Sequence, residues 1–192
     1  FFPYFMSWVV VSYLVYAFLS PSGGVANLII EAFGGEAIMW YSTPQYWPFI
    51  LVLMSTWKGM GYNMVVYLAS ITGIDTSLYE AAILDGATKW QQARYITIPT
   101  IRPMIIMMFI LNIGHIFYSD FGLFYQITQH LPQPLSDVAS TFDTYIFMAL
   151  QTGNSKIGQT AAAGLFQSVC CCITVLITNA IVSKIDPDSA II

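Results

Sequence analysis

The chain has 192 residues, 57% of them hydrophobic and only 8% charged, with six Lys and Arg against ten Asp and Glu and a net charge of −4. A mean hydropathy of +0.67 excludes a water-soluble globule, in which about a quarter of the residues are charged. Six scattered cations exclude a nucleic-acid-binding face, and three consecutive cysteines, Cys170, Cys171 and Cys172, exclude a disulfide scaffold. The composition is that of an integral membrane protein. The chain opens at Phe1 inside an apolar run with no targeting segment ahead of it, so an upstream continuation is expected.

A helix needs about 20 mostly apolar residues to cross ~30 Å of hydrocarbon. Four stretches meet that length within residues 1–192, read as one transmembrane domain: about 1–19, 47–70, 103–127 and 161–183. Tyr4, Trp8, Tyr46, Trp47 and Tyr125 mark their edges as interfacial aromatics do. The runs do not alternate, so barrel strands are excluded and the fold class is all-α, a polytopic helical bundle.

Along the first connector, Val25, Leu28, Ile29, Ala32 and Phe33 form one apolar stripe of a short helix. That helix lies at the outer surface or in the bundle mouth. Within the second span, Lys58 stands near the middle, where an ionisable group is costly and faces a bundle interior or a cavity. Gly59 and Gly61 beside it permit close helix approach.

The connector 71–102 carries Lys89, Arg94 and Arg102. Ser77 and Glu80 have the spacing of a capping box, and Asp75 could cap instead. Either start gives a helix through Ala81 and Ala82 that Gly86 ends in a left-handed conformation. Thr88 can cap a second helix, Lys89 to Ile96, which Pro99 stops. Leu78, Ile83, Trp90 and Ile96 are available for burial in this hairpin.

In the third span, Asn112 and His115 share a helix face, and Asp120 lies outward of the centre, where snorkelling of Lys58 would bring the two charges together. Lys58, His115 and Asp120 are therefore candidates for a polar translocation path or for interhelical pairing. Val138, Phe142, Tyr145, Ile146 and Leu150 form a second short outer helix. In the fourth span the cysteine triplet points in three directions around a helix and reads as small apolar filler. Lys and Arg concentrate in 71–102 and at Lys184, whereas 20–46 has none and 128–160 only Lys156. The positive-inside rule places 71–102 and the C-terminus in the cytoplasm.

No phosphate-binding loop and no metal-ligand spacing occur. Neither His115 nor His130 has a nucleophile at readable spacing beyond the weak pair His115 and Ser119. No catalytic or metal residues are expected.

Glu80-Ala81-Ala82, Gly86, Ile96 and Ile98-Pro99 resemble the EAA loop, residues 74–102, of permease subunits of binding-protein-dependent ABC importers; the family pattern has Leu where Ile98 stands. The six matching positions would coincide by chance at on the order of 10⁻⁷ per starting point. Segments 78–82, 85–90, 119–125 and 184–187 are similar to the carbohydrate branch, above all to oligosaccharide and aldouronate permeases. The resemblance implies a type I importer permease fold in the bacterial inner membrane, with the first EAA helix docked on a cytoplasmic ATPase. It implies as partners a second permease subunit, two ATPase subunits, an extracytoplasmic substrate-binding protein and a sugar. ATP-Mg is then held by the ATPase subunits, with no cofactor on this chain. A non-sugar solute, a channel or scaffold subunit, and an intramembrane hydrolase are the alternatives.

Overall fold

The computed structural model describes residues 1–151 and 157–185. Lys156 of the second outer connector, and Asp186 and Pro187 of the tail, lie outside the described residues. The chain divides into two compact units, Phe1–Gly61 with Tyr118–Gln167, and Tyr62–Phe117 with the residues from Ser168 on. The regular structure among the described residues is entirely helical.

In the first unit, the first span is two helices, α1 (Phe2–Phe5) and α2 (Trp8–Leu19). Met6 and Ser7 are extended, and the Ser7 hydroxyl accepts the Val10 amide at 3.3 Å. A serine that caps a new helix withdraws from the old one, which breaks the run. A tight turn, closed by the Gly24 amide on the Ser20 carbonyl at 3.2 Å, leads to α3 (Val25–Ala32). Its stripe does not face the protein: Val25, Leu28, Ile29, Ala32 and Phe33 are all exposed, while Asn27 is 2% exposed. The Asn27 amide receives the Ile38 amide at 3.0 Å and the Trp40 indole at 2.9 Å, and donates to the Ile38 carbonyl at 3.0 Å. Trp47 in turn donates its indole N–H to the Trp40 carbonyl at 2.8 Å.

The second span is one helix, α4 (Trp47–Thr72). A Cβ at its Gly61 would lie 2.6 Å from the Cα of Phe1, so the glycine permits the close approach of α1. Val11 and Val15 of α2, Trp47 and Leu51 of α4, and Leu123, Ile127, Leu131, Leu135 and Ala139 pack as one core.

In the second unit, α5 (Thr76–Leu84) and α6 (Lys89–Thr100) form the hairpin. α6 contains a π-helical stretch, Ala93–Thr97. Pro99 does not stop it. The widened turn carries the Ile98 amide to the Ala93 carbonyl, which makes room for a ring that a regular helix would clash with. α7 (Arg102–Gly114) then leaves at 61° to α6. The expected third span is thus interrupted: α7 ends at Gly114, and the chain resumes, in the first unit, as a π-helical turn at Gly122–Gln126. Gln129, His130 and Leu131 follow with φ of 59°, 66° and 54°. Thr128 supports this left-handed run: its hydroxyl accepts the Leu131 amide at 3.1 Å and donates to the Phe124 carbonyl at 2.7 Å.

α8 (Phe142–Gln151) precedes the long α9 (Ile157–Ile185). Ile157–Lys184 is long and apolar enough to cross a membrane, with mean hydropathy 2.0. Phe49 at 72%, Val52 at 65% and Leu165 at 67% exposure belong to an apolar surface far larger than water tolerates. In the second unit the Cys171 thiol donates to the Gly114 carbonyl, and a Cβ at Gly114 would meet Val175 at 3.2 Å. Cys171 is a packing residue at a helix contact.

Asn27→Ala should lower stability by about 1–3 kcal/mol, because it orphans the partly buried donors of Ile38 and Trp40. Thermal unfolding in nanodiscs checks this, and an unchanged midpoint would contradict it.

Candidate functional site

The hairpin is built from its caps. The Asp75 carboxylate accepts the Ser77 amide at 2.9 Å, and that bond holds its carboxyl below the usual carboxylate range. Asp75 is therefore the N-cap of α5, and the carboxylate of Glu80 stays exposed on the helix surface. Gly86, at φ +76°, ends α5 with the Ala87 amide on the Ala82 carbonyl at 2.9 Å, the 6→1 bond of a Schellman motif. Thr88 and Gln91 form a capping box at the start of α6. Across the hairpin, Tyr79 and Thr97 share a hydroxyl–hydroxyl bond of 2.8 Å. The buried Gln92 donates to the Ala87 carbonyl at 3.1 Å.

This bracing leaves the outer edge of α5 uncovered. Leu84 is 88% exposed, with Leu78, Ile83 and Ala81 also exposed. The expected burial of Leu78, Ile83 and Trp90 within the hairpin therefore does not occur; Ile96 is half-buried, and Ile98 and Pro99 are exposed. The apolar edge with Glu80 beside it is a surface suited to a partner's groove and a partner's arginine.

Within the first unit, Lys58 and Asp120 meet through Trp8, not directly. The Lys58 ammonium donates to the Tyr4 carbonyl at 2.9 Å and lies 5.1 Å from the Trp8 ring centroid and 5.4 Å from that of Tyr4. Asp120 accepts the Trp8 indole N–H at 2.6 Å and the Leu123 amide at 3.3 Å. The carbonyl released where α1 stops is thus met by a cation, and the ring between the charges serves one with its face and the other with its edge. Gly122 is required here, since a Cβ would overlap the Trp8 side chain. Sequence reasoning took Trp8 only as an interface marker; no local spacing signals contact with residues 58 and 120.

In the second unit, His115 caps α7 and its Nδ1 lies 3.0 Å from the Leu111 carbonyl. Asn112 likewise donates to the Met108 carbonyl at 2.7 Å. Ser119 is engaged elsewhere: its amide and hydroxyl reach Asp143 at 2.7 and 2.6 Å. Asp143 also receives Gln167 at 3.4 Å. Burial pushes the Asp143 carboxyl up, but the Ser119 and Gln167 bonds outweigh it and hold the group below the usual carboxylate range. His115 and Ser119 therefore each have their own partner, and neither serves as a nucleophile–base pair.

Residues 1–187 match the family described as "Binding-protein-dependent transport system inner membrane component". The chain belongs to that family. It is a family of transport permeases of the membrane, and its helical architecture is that of ABC importer permeases. The chain is 35% identical over 183 residues to the polygalacturonan/rhamnogalacturonan transport system permease protein YteP of Bacillus subtilis, covering 95% of this chain and 56% of the relative. It is 34% identical to Protein LplB of the same organism, covering 97% and 57%. The chain thus spans a little over half the length of these relatives. A bacterial ABC transporter involved in the import of the acidic polysaccharide alginate matches with a TM-score of 0.89 and 33% identity, over 96% of this chain and 63% of that one. A second structure of a bacterial alginate transporter, in complex with an alginate pentasaccharide-bound periplasmic protein, matches with a TM-score of 0.86.

Two predictions follow from this geometry. In a double-mutant cycle on stability, Trp8→Phe and Asp120→Asn should be strongly non-additive, since either alone removes the same bond; additivity would show that the bond does not form in the protein. Asp143 has a depressed folded pKa, so its contribution is present above the unfolded value of about 4 and is lost as pH falls through the folded value. The thermal midpoint of wild type should fall below pH 4 (~4) more steeply than that of Asp143→Asn; parallel curves would contradict the assignment.

Proposed function

We propose that the chain is the permease part of an ABC importer for oligosaccharides, forming half of the translocation path. The observation that carries this reading is the braced hairpin with an uncovered apolar edge, in a chain whose family and similar solved structures are importer permeases. Its complement would be a second permease subunit, two ATPase subunits that hold ATP-Mg, and an extracytoplasmic binding protein. α5 would seat Leu78, Ile83 and Leu84 in the ATPase groove and offer Glu80 to a basic residue there. The chain itself would carry out no bond-making or bond-breaking step.

In this reading residues 71–102 and the C-terminus face the cytoplasm, as the Lys and Arg distribution requires. Glu80, Ala81, Ala82, Gly86, Ile96, Ile98 and Pro99 make the coupling element. Lys58 and Asp120, and separately His115, face the aqueous path, since ionised or polar side chains do not face hydrocarbon. The relatives named for polygalacturonan and alginate favour an oligosaccharide with uronate units, and Lys58 supplies a cation for it.

The test is ATP hydrolysis by the reconstituted importer with its binding protein, stimulated by a galacturonate trisaccharide. Wild type should respond. Gly86→Pro and Glu80→Lys should lose most of that stimulation or fail to retain the ATPase subunits. Full stimulation in both variants would sink the coupling role, and a wild type that responds only to a non-sugar solute would replace the substrate.

A further inference from the structure

α3 is amphipathic in the inverse sense from a core-facing helix. Its inward anchor is a polar residue, Asn27, held to Ile38 and Trp40. Its apolar stripe is outward: Leu28 and Ile29 are each 54% exposed and Phe33 is 89% exposed. Glu31 lies on the Asn27 side of the helix, away from the stripe, by the 3.6-residue period.

We infer that this stripe is a lipid-binding surface, which lays α3 in the membrane interface at the end of α2. Three observations commit it to lipid. First, α3 starts at Val25, six residues after the last residue of α2, Leu19. The Gly24 amide closes the link onto Ser20, which keeps α3 next to the end of α2. Gly24 is needed there because a Cβ would fall 2.4 Å from the Ser20 carbonyl oxygen and 2.8 Å from that of Phe18. Second, the preceding helix α2 is itself exposed through large apolar side chains on more than one side, Tyr13 at 69% and Phe18 at 55%, which in a membrane-embedded helix are covered by acyl chains. Third, the stripe carries no charge, while Glu31 and Glu36 are exposed outside it, the separation of an interfacial helix.

The role that follows is positional. An interfacial helix clamped by Asn27 fixes the depth of α2 and, through the Trp40–Trp47 bond, the start of α4. The inference needs only that the chain is membrane-embedded and is independent of which solute is carried.

The experiment places nitroxide labels singly at Leu28→Cys, Ile29→Cys and Glu31→Cys, with Cys170, Cys171 and Cys172 replaced by alanine. The assembled importer is studied in phosphatidylethanolamine–phosphatidylglycerol nanodiscs. Collisions with oxygen should exceed those with a water-soluble nickel chelate several-fold at 28 and 29, and the order should invert at 31. Nickel-dominated collisions at 28 and 29 would put the stripe in water. Immobilised labels shielded from both reagents would put it under a protein partner. Either result overturns the proposal. Should one labelled variant fail to assemble, the other stripe position decides alone.

Discussion

In hydrocarbon every backbone polar group must find its partner within the protein, because no water is available to take it. That constraint governs this chain most visibly where its helices stop. α1 ends five residues into the chain, and the Tyr4 carbonyl is met by Lys58. The stretch after α7 departs from regular helix, and the Ser119 amide is met by Asp143. Each interruption is closed by one named side chain, which is why so few polar residues suffice.

The two charges near the interruptions show the same economy. A direct Lys58–Asp120 pair would have neutralised both but left the end of α1 and the Trp8 indole N–H without partners. With the indole between them, Lys58 keeps both the Tyr4 carbonyl and the ring face, and Asp120 takes the indole N–H. A buried ion pair gains little over its desolvation cost, whereas a cation on a ring face and a carboxylate on a ring N–H also fix where Trp8 begins α2. Gly122 completes the arrangement by leaving room for the ring.

Much of this was legible in the sequence, and the rest has physical reasons for hiding. The spans at 47–70 and 161–183 are visible because long apolar runs need no other explanation. The hairpin's ends are visible because caps are local: Asp75, Gly86 and Thr88 act within five residues. The break in the first span is a local cap, Ser7 on the Val10 amide, hidden by its apolar company, whereas the break in the third depends on partners far along the chain: Asp143 is 24 residues from Ser119 and Trp8 is 112 from Asp120. Pro99 misled for the opposite reason. It is a strong local stop signal, overridden by a π-helical turn that no residue pattern announces. The α3 stripe is legible as one helix face, yet periodicity does not say whether that face turns toward the protein or away from it; Asn27, held to residues 38 and 40, turns it away.

Central to the account is that α5 is a contact surface for a cytoplasmic ATPase and not merely a link between spans. A photoreactive benzophenone attached at Leu84→Cys, in the background without the native cysteines, tests it most directly in the assembled importer. The account predicts a covalent adduct between this chain and the ATPase subunit on illumination, absent when the ATPase is omitted. Labelling of lipid or solvent products alone, with the ATPase present and bound, would contradict it.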